Sequence, residues 1–555
     1  MKKSFGESLR RERQKGLYWG IVAFIILIFC MLFILYPFGK LFLQSFFEDG
    51  HFSLANYAKF FGRSAYRKVL GNTLKVSTCA TLLGVALGLP MAYVTTRFNI
   101  WGKKAIKACV VLSMLSPPFI GAYSWILLLG KAGYITQFFL NTFGIDIGTI
   151  YGFKGILLVF TLKLFPYVFM YTSTALENFD SALEEASESL GVHGFARIRR
   201  VTLPIILPTI LSAALIVFMT SMADFGTPVL IGRGYKVLTV LIYERYLSEV
   251  STSASFASAM AVIAVVFTML VLFLQKWILN RKSYTMSAMR PPEVVKLSTG
   301  KRILATAFVW IVALIAMLPQ ITIIITSFRN TNGSQFVSGL GLDNYRAIAS
   351  RVGSIINTYK FGIIAIIIMM VLGLHLAYII VRRKGKLANF LDTLAMFPYV
   401  IPGSVIGIGM VLAFNVKPLV LTGTATIMIV AYTIRKLPFT LRSSIGTLYQ
   451  IEPAIEEASI SLGEPPMRTF FKTTALLMLP GMLSGAVLSF VATINELSST
   501  IILYSGGTST ISAAIYTTLF ADAYGPAAAL STILTASTIL ALVLFNKLSG
   551  GRSVI

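Results

Sequence analysis

The stretch LEEASESLG fills Leu183–Gly191, and a near copy, IEEASISLG, fills Ile455–Gly463, 272 positions further on. Both are acidic islands in an apolar chain. Of its 555 residues 56% are hydrophobic, and the mean hydropathy is +0.78. That composition excludes an ordinary soluble domain and points to the bilayer. About twelve apolar runs are long enough to cross roughly 30 Å of hydrocarbon as helices. The first acidic stretch falls between runs near 153–176 and 205–231, the second between runs near 420–446 and 479–504.

The duplication extends outward from these islands. GLPMAYVTTR at Gly88–Arg97 returns as GLHLAYIIVR at Gly373–Arg382, and NTLK at Asn72–Lys75 as NTYK at Asn357–Lys360, both shifted by 285. Lys163, Pro166, Pro208 and Asp224 match Arg435, Pro438, Pro480 and Glu496 at a shift of 272. So many matches in order mark two homologous halves, 1–280 and 303–555, joined by a polar, basic linker over 281–302. About six spans per half is an even number, so both halves enter the membrane in the same direction. Inverted repeats would need an odd number. The expected fold is an all-α polytopic membrane protein of about twelve transmembrane helices in two parallel-oriented six-helix repeats.

The formal net charge of +26 does not call for nucleic acid. Lys and Arg gather beside the spans: Arg10, Arg11, Arg13 and Lys15 before the first, Lys103, Lys104 and Lys107 after the second, Arg197, Arg199 and Arg200 after the fourth. Further clusters fall in the linker and at Arg382, Arg383, Lys384 and Lys386. Threaded from a cytoplasmic N-terminus, all of these lie on one side, the positive-inside pattern, which also puts the C-terminus in the cytoplasm. The first apolar run is too long for a signal-peptide core and is read as a retained span. Cys30, Cys79 and Cys109 are scattered in or beside spans and form neither a disulfide framework nor a metal motif.

Each acidic stretch reads as a short, well-punctuated helix on the basic side. Asp180 or Ser181 caps the first, with Glu184 completing a Ser-x-x-Glu box, and Pro453 suits the first turn of the second. Leu183, Ala186 and Leu190 fall on one face, as do Ile455, Ala458 and Leu462. Gly191 and Gly463 stand where a left-handed C-cap ends a helix. A solvated loop would explain one such element. Two, in matching loops, indicate docking to a two-fold partner.

Glu185-Ala186-Ser187 with Gly191, and Glu457-Ala458-Ser459 with Gly463, resemble the E-A-A, three residues, G signature of permease subunits of binding-protein-dependent bacterial ABC importers of the molybdate and maltose type. The third alanine is serine in both copies. The downstream Leu-Pro stands as Leu203-Pro204 in the first half, while the second has Ala475-Leu476. The resemblance implies that Glu184, Glu185, Ala186 and Gly191, with Glu456, Glu457, Ala458 and Gly463, form coupling helices spanning 181–191 and 453–463. These would dock on two copies of an ABC ATPase, and an extracytoplasmic binding protein would deliver the substrate. ATP and Mg would be held by the ATPase. This chain has no G-x-x-x-x-G-K-[ST] loop, so it is not expected to hold ATP itself; no cofactor, metal or catalytic residue is expected of it. The location implied is the bacterial cytoplasmic membrane.

Among such permeases the fused, two-half arrangement and ADFGTPVLIG at Ala223–Gly232 are most similar to iron(III) importers. Permeases for thiamine, polyamine or phosphonate are the alternatives, and a stand-alone secondary transporter is the rival of another class, disfavoured by the direct repeat. His51, His193 and His375 are too scattered to build a metal cage. Asp224 and Glu496 occupy equivalent positions in the fifth and eleventh runs. A carboxylate at membrane depth is costly unless it meets a partner or a cavity. Either each is bonded to a neighbouring helix terminus, or the two flank the substrate path.

Overall fold

The computed structural model describes residues 17–48, 50–114, 118–249, 254–280, 294–332 and 335–548. The basic N-terminal residues and positions 281–293 of the expected linker lie outside them. Within the described residues the two halves repeat one helical sequence. The first spans are Leu17–Ser45 and Thr299–Phe328, each followed by a small antiparallel hairpin, Phe47–Glu48 with His51–Phe52 and Arg329–Asn332 with Gln335–Leu340. The second spans are Ser64–Arg97 and Val352–Arg382, the fourth Phe153–Glu177 and Ala425–Gln450. The fifth are Gly194–Ala223 and Pro466–Ile494, and the last Ser255–Asn280 and Tyr524–Leu548.

Nine of the described helices are long and apolar enough to cross a membrane, and up to eleven if each of two bent pairs counts as one span. The bent pairs are the third spans. Lys103–Met114 and Phe119–Phe143 diverge by 101°, and Lys386–Val400 and Gly403–Phe414 by 112°. In the second pair Pro402 has no amide hydrogen to continue the helix, and Ile401 before it is extended, as a residue preceding proline tends to be. Ala425–Gln450 is also a helix of 26 residues, but it carries Arg435, Lys436 and Arg442, which keep it outside the apolar set.

The repeat and the spatial units divide the chain differently. One compact unit gathers the described residues of 1–53 with those of 345–554, the other those of 54–344. Each unit therefore contains the first span of the other sequence half. Hydropathy specifies that Leu17–Ser45 must be apolar, but not which neighbours it packs on. Here it packs on Gly403–Phe414.

Inside each unit the second span packs closely on the fourth. Glycine permits this: a Cβ on Gly88 would stand 2.8 Å from the Phe165 carbonyl oxygen, and one on Gly373 3.1 Å from Thr440 Cγ2. Small residues allow such backbone approach in a bilayer, where helices gain little from hydrophobic burial against one another. Ile21, Phe24, Leu304 and Ile367 are among the large apolar side chains left exposed, as faces turned to hydrocarbon require. The repeat spacing drops by 13, from 285 to 272, between Gly88 and Lys163. The first half uses the extra length for the helix Tyr134–Phe143, which has no counterpart at residues 415–424.

Candidate functional site

The acidic helices are Ser181–Ser189 and Pro453–Ser461, each between the fourth and fifth spans of its half. Asp180 is the first N-cap, its carboxylate accepting from the Ala182 amide at 3.0 Å. The expected Ser-x-x-Glu box does not form: with Asp180 at the cap, Glu184 is one residue too far along, and its carboxylate is engaged elsewhere. Pro453 begins the second helix, as expected.

Both helices end in the same hydrogen-bonded motif. Gly191 (φ 79°) donates to the Glu188 carbonyl at 2.9 Å, and Val192 to that of Ser187 at 2.9 Å. Gly463 (φ 98°) donates to Ile460 at 3.0 Å, and Glu464 to Ser459 at 3.2 Å. These are the paired bonds of a Schellman cap, which needs a left-handed residue after the last helical one. The spacing of the E-A-A and G elements thereby acquires a physical meaning. The third position, Ser187 or Ser459, supplies the carbonyl for the outer bond, and glycine four residues later makes the turn.

The outward face is apolar. Leu190 is 82% exposed and Leu462 88%, with Leu183, Ala186, Ile455 and Ala458 also exposed. Glu185 and Glu457 are exposed too, as is Phe195 in the short helix that follows the first acidic one. A large apolar side chain held on a capped turn is what a docking knob requires.

Glu184 and Glu456 do not join that rim. Glu184 turns into its own unit and takes a two-pronged bond from Arg97, at 2.7 and 3.3 Å, with the Arg97 side chain only 4% exposed. Glu456 accepts from Arg382 Nε at 3.2 Å and from the Tyr378 hydroxyl at 2.9 Å. Arg382 also donates to the Ile451 carbonyl at 2.6 Å. The two arginines close the repeated stretches Gly88–Arg97 and Gly373–Arg382, so the sequence contained their signal, but nothing local linked them to the glutamates.

Asp224 and Glu496 are buried, each where a fifth span breaks into a short helix, Gly226–Ile231 and Thr500–Leu503. Neither stands uncompensated. Asp224 accepts from Lys163 Nζ at 3.0 Å and caps the following turn through the Thr227 amide at 2.8 Å. Glu496 pairs with Arg435 and with Lys436 Nζ at 2.8 Å, and caps through the Ser499 amide at 3.2 Å. Gly403 leaves room for the Arg435 guanidinium, which a Cβ there would strike. By formal charge one cluster is neutral and the other +1. Both carboxylates are bonded at the start of a short helix and carry an ion pair as well. Lys163 and Arg435, read from sequence only as markers of the repeat, are the partners. In each half cation and acid are 61 residues apart.

Of the three histidines, His375 is bonded to the Val371 carbonyl at 2.8 Å and to the Tyr18 hydroxyl at 3.1 Å. His51 lies in the first hairpin and His193 follows the first acidic helix. No group of three or more His, Cys, Asp or Glu gathers among the described residues.

The profile of the family "Binding-protein-dependent transport system inner membrane component" matches residues 84–284 and again 369–552. The ferric transport system permease protein FbpB of Actinobacillus pleuropneumoniae is 29% identical over 562 residues, covering 99% of this chain and 81% of that protein. The putative ferric transport system permease protein FbpB 1 of Haemophilus influenzae is 30% identical over 508 residues, 90% of this chain and 79% of that one. The molybdenum transport system permease protein ModB of H. influenzae is 26% identical over 211 residues, which are 38% of this chain but 91% of that protein. One half of this chain thus corresponds to a whole permease of the shorter kind. With the family match occurring twice along one polypeptide, this chain belongs to the binding-protein-dependent inner membrane components and is an ABC importer permease with both permease halves fused.

Proposed function

We propose that this permease carries iron(III) across the cytoplasmic membrane, driven by two copies of a partner ABC ATPase and supplied by an extracytoplasmic binding protein. The observation that carries the substrate is the similarity to two ferric transport permeases over 90% or more of this chain. ATP and Mg belong to the partner, because this sequence contains no P-loop. The acidic helices 181–191 and 453–463 serve as the coupling elements. Glu185, Ala186, Glu457 and Ala458 face the ATPase beside Leu190 and Leu462, while Gly191 and Gly463 hold the bend. Both termini lie in the cytoplasm, as the basic loops favour.

Asp224 and Glu496 belong to this proposal as charged groups along the substrate route. What supports it is their burial at broken helices in equivalent positions, a form transporters use around their substrate sites. On this reading the ion pairs that engage them here rearrange as substrate passes.

The test is reconstitution with the cognate ATPase and binding protein in vesicles. Uptake of radiolabelled iron(III), dependent on ATP and unaffected by excess thiamine, spermidine or an alkylphosphonate, is expected. The purified chain alone should hydrolyse no ATP, and the ATPase should co-purify with it. Uptake of one of the competitors in place of iron would overturn the substrate. Turnover by the isolated chain, free of contaminating ATPase, would overturn the division of labour.

A further inference from the structure

The Glu184 and Glu456 carboxylates are both engaged within the permease. Each ties an acidic helix to the cytoplasmic end of a second span through an arginine that closes the longest repeated stretch of the chain. The two anchors are alike in plan: Arg97 with Glu184, Arg382 with Glu456. Their separations in sequence are 87 and 74 residues, so they are long-range ties rather than features of one helix.

Each anchor is braced from behind by chain at the head of a first span that belongs to the other sequence half. In one unit Val295, just before Thr299–Phe328, donates to the Arg97 carbonyl at 2.8 Å, and the Asn99 amide donates to the Val295 carbonyl at 3.3 Å. Asn99 Oδ1 also accepts from the Leu297 amide at 3.0 Å. In the other unit the brace is aromatic. Trp19, at the head of Leu17–Ser45, stacks on Tyr378 with centroids 4.3 Å apart and planes within 16°, and meets Phe470 edge-on at 4.8 Å. Tyr378 is the residue whose hydroxyl donates to Glu456. Backbone pairing in one unit and ring packing in the other thus converge on the same place.

We propose that Arg97 and Arg382 are positioning residues of the transport cycle. Each fixes an acidic helix to the second span, so that a push on that helix moves the span rather than only the loop, and the head of each exchanged first span holds the anchor in place. This rests on the coupling reading above. A docked helix joined to the bundle only by its two flexible ends would tilt without transmitting force. Glu184 is gripped by two prongs of Arg97, and Glu456 by Arg382 and Tyr378 together; two directional bonds to one largely buried carboxylate resist tilting, since they have fixed geometry and little water to replace them.

Amide hydrogen exchange on the full chain in lipid nanodiscs, with no ATPase present, tests the anchor. Arg97→Gln should raise exchange over 181–191 about tenfold or more while leaving 453–463 as it is. The exchanged pair Arg97→Glu with Glu184→Arg should restore most of the protection. Trp19→Ala should loosen 453–463 and spare 181–191. In vesicles with ATPase and binding protein, Arg97→Gln should lower iron(III) taken up per ATP hydrolysed, and the exchanged pair should recover it. If Arg97→Gln fails to insert, Arg97→Lys, which keeps the charge with a single prong, should give an intermediate loss in both measurements. Unchanged exchange in the single variants, or an exchanged pair no better than Arg97→Gln, would overturn the anchor. Looser helices with unchanged uptake per ATP would overturn the role in transport. Leu190→Asp that still binds ATPase would instead overturn the coupling reading itself, independently of the anchor.

Discussion

Replacing Gly191 or Gly463 by valine isolates one physical effect. Both residues have positive φ, 79° and 98°, and a Cβ built on either meets no heavy atom within 4 Å. No neighbour has to move, so the cost is the backbone conformation alone. An L-residue held in the left-handed region costs about 1–2 kcal/mol, and a β-branched one about 1–3 kcal/mol. At a factor of ten per 1.4 kcal/mol, the capped turn should open roughly 5–150 times more often. The amides of Val192 and Glu464 report this directly, because they donate to Ser187 and Ser459 only while the cap is formed. Their exchange should rise in the order glycine, asparagine, alanine, valine, since asparagine tolerates the left-handed region best of the three substitutes. Membrane insertion should be unaffected, because both glycines are exposed. Uptake per ATP should fall in the same order. Valine variants that exchange at the wild-type rate, or a ranking that follows side-chain volume instead of φ preference, would refute the reasoning.

Two further outcomes follow from the geometry. Leu190→Asp and Leu462→Asp, at the most exposed apolar positions of the acidic helices, should each weaken ATPase binding by about 2 kcal/mol or more, as expected when an interface anchor is lost; quantitative pull-down measures it, and unchanged binding would place the docking face elsewhere. Asp224→Asn strands Lys163, and Glu496→Gln strands Arg435 and Lys436, so each single change should cost about 3–5 kcal/mol of stability in a thermal unfolding assay. Pairing Asp224→Asn with Lys163→Gln should recover most of that loss. If these groups line the route, the paired variant should assemble and hydrolyse ATP but take up less iron, whereas normal uptake would leave them as helix caps and ion pairs only.

The sequence by itself determined what is local or duplicated. Apolar runs long enough to span a bilayer, basic loops between them, Pro453 at a helix start and glycine at a left-handed helix end are each written within about a dozen residues. Two copies in register made the two-half organisation plain, and with it the acidic helices. The bends of the third spans were not read from hydropathy, which does not show that Ile401 and Pro402 interrupt the helix inside an apolar run. Tertiary structure decided which residues meet. Hydropathy gives a helix its environment without naming its neighbours, so the exchange of first spans between units was not legible. An ion pair between residues 61, 74 or 87 apart has no periodicity to betray it. Glu184 and Glu185 are adjacent and chemically identical, yet a helix turns successive side chains by about 100°, and only the position of Arg97 makes one an internal anchor and leaves the other facing out.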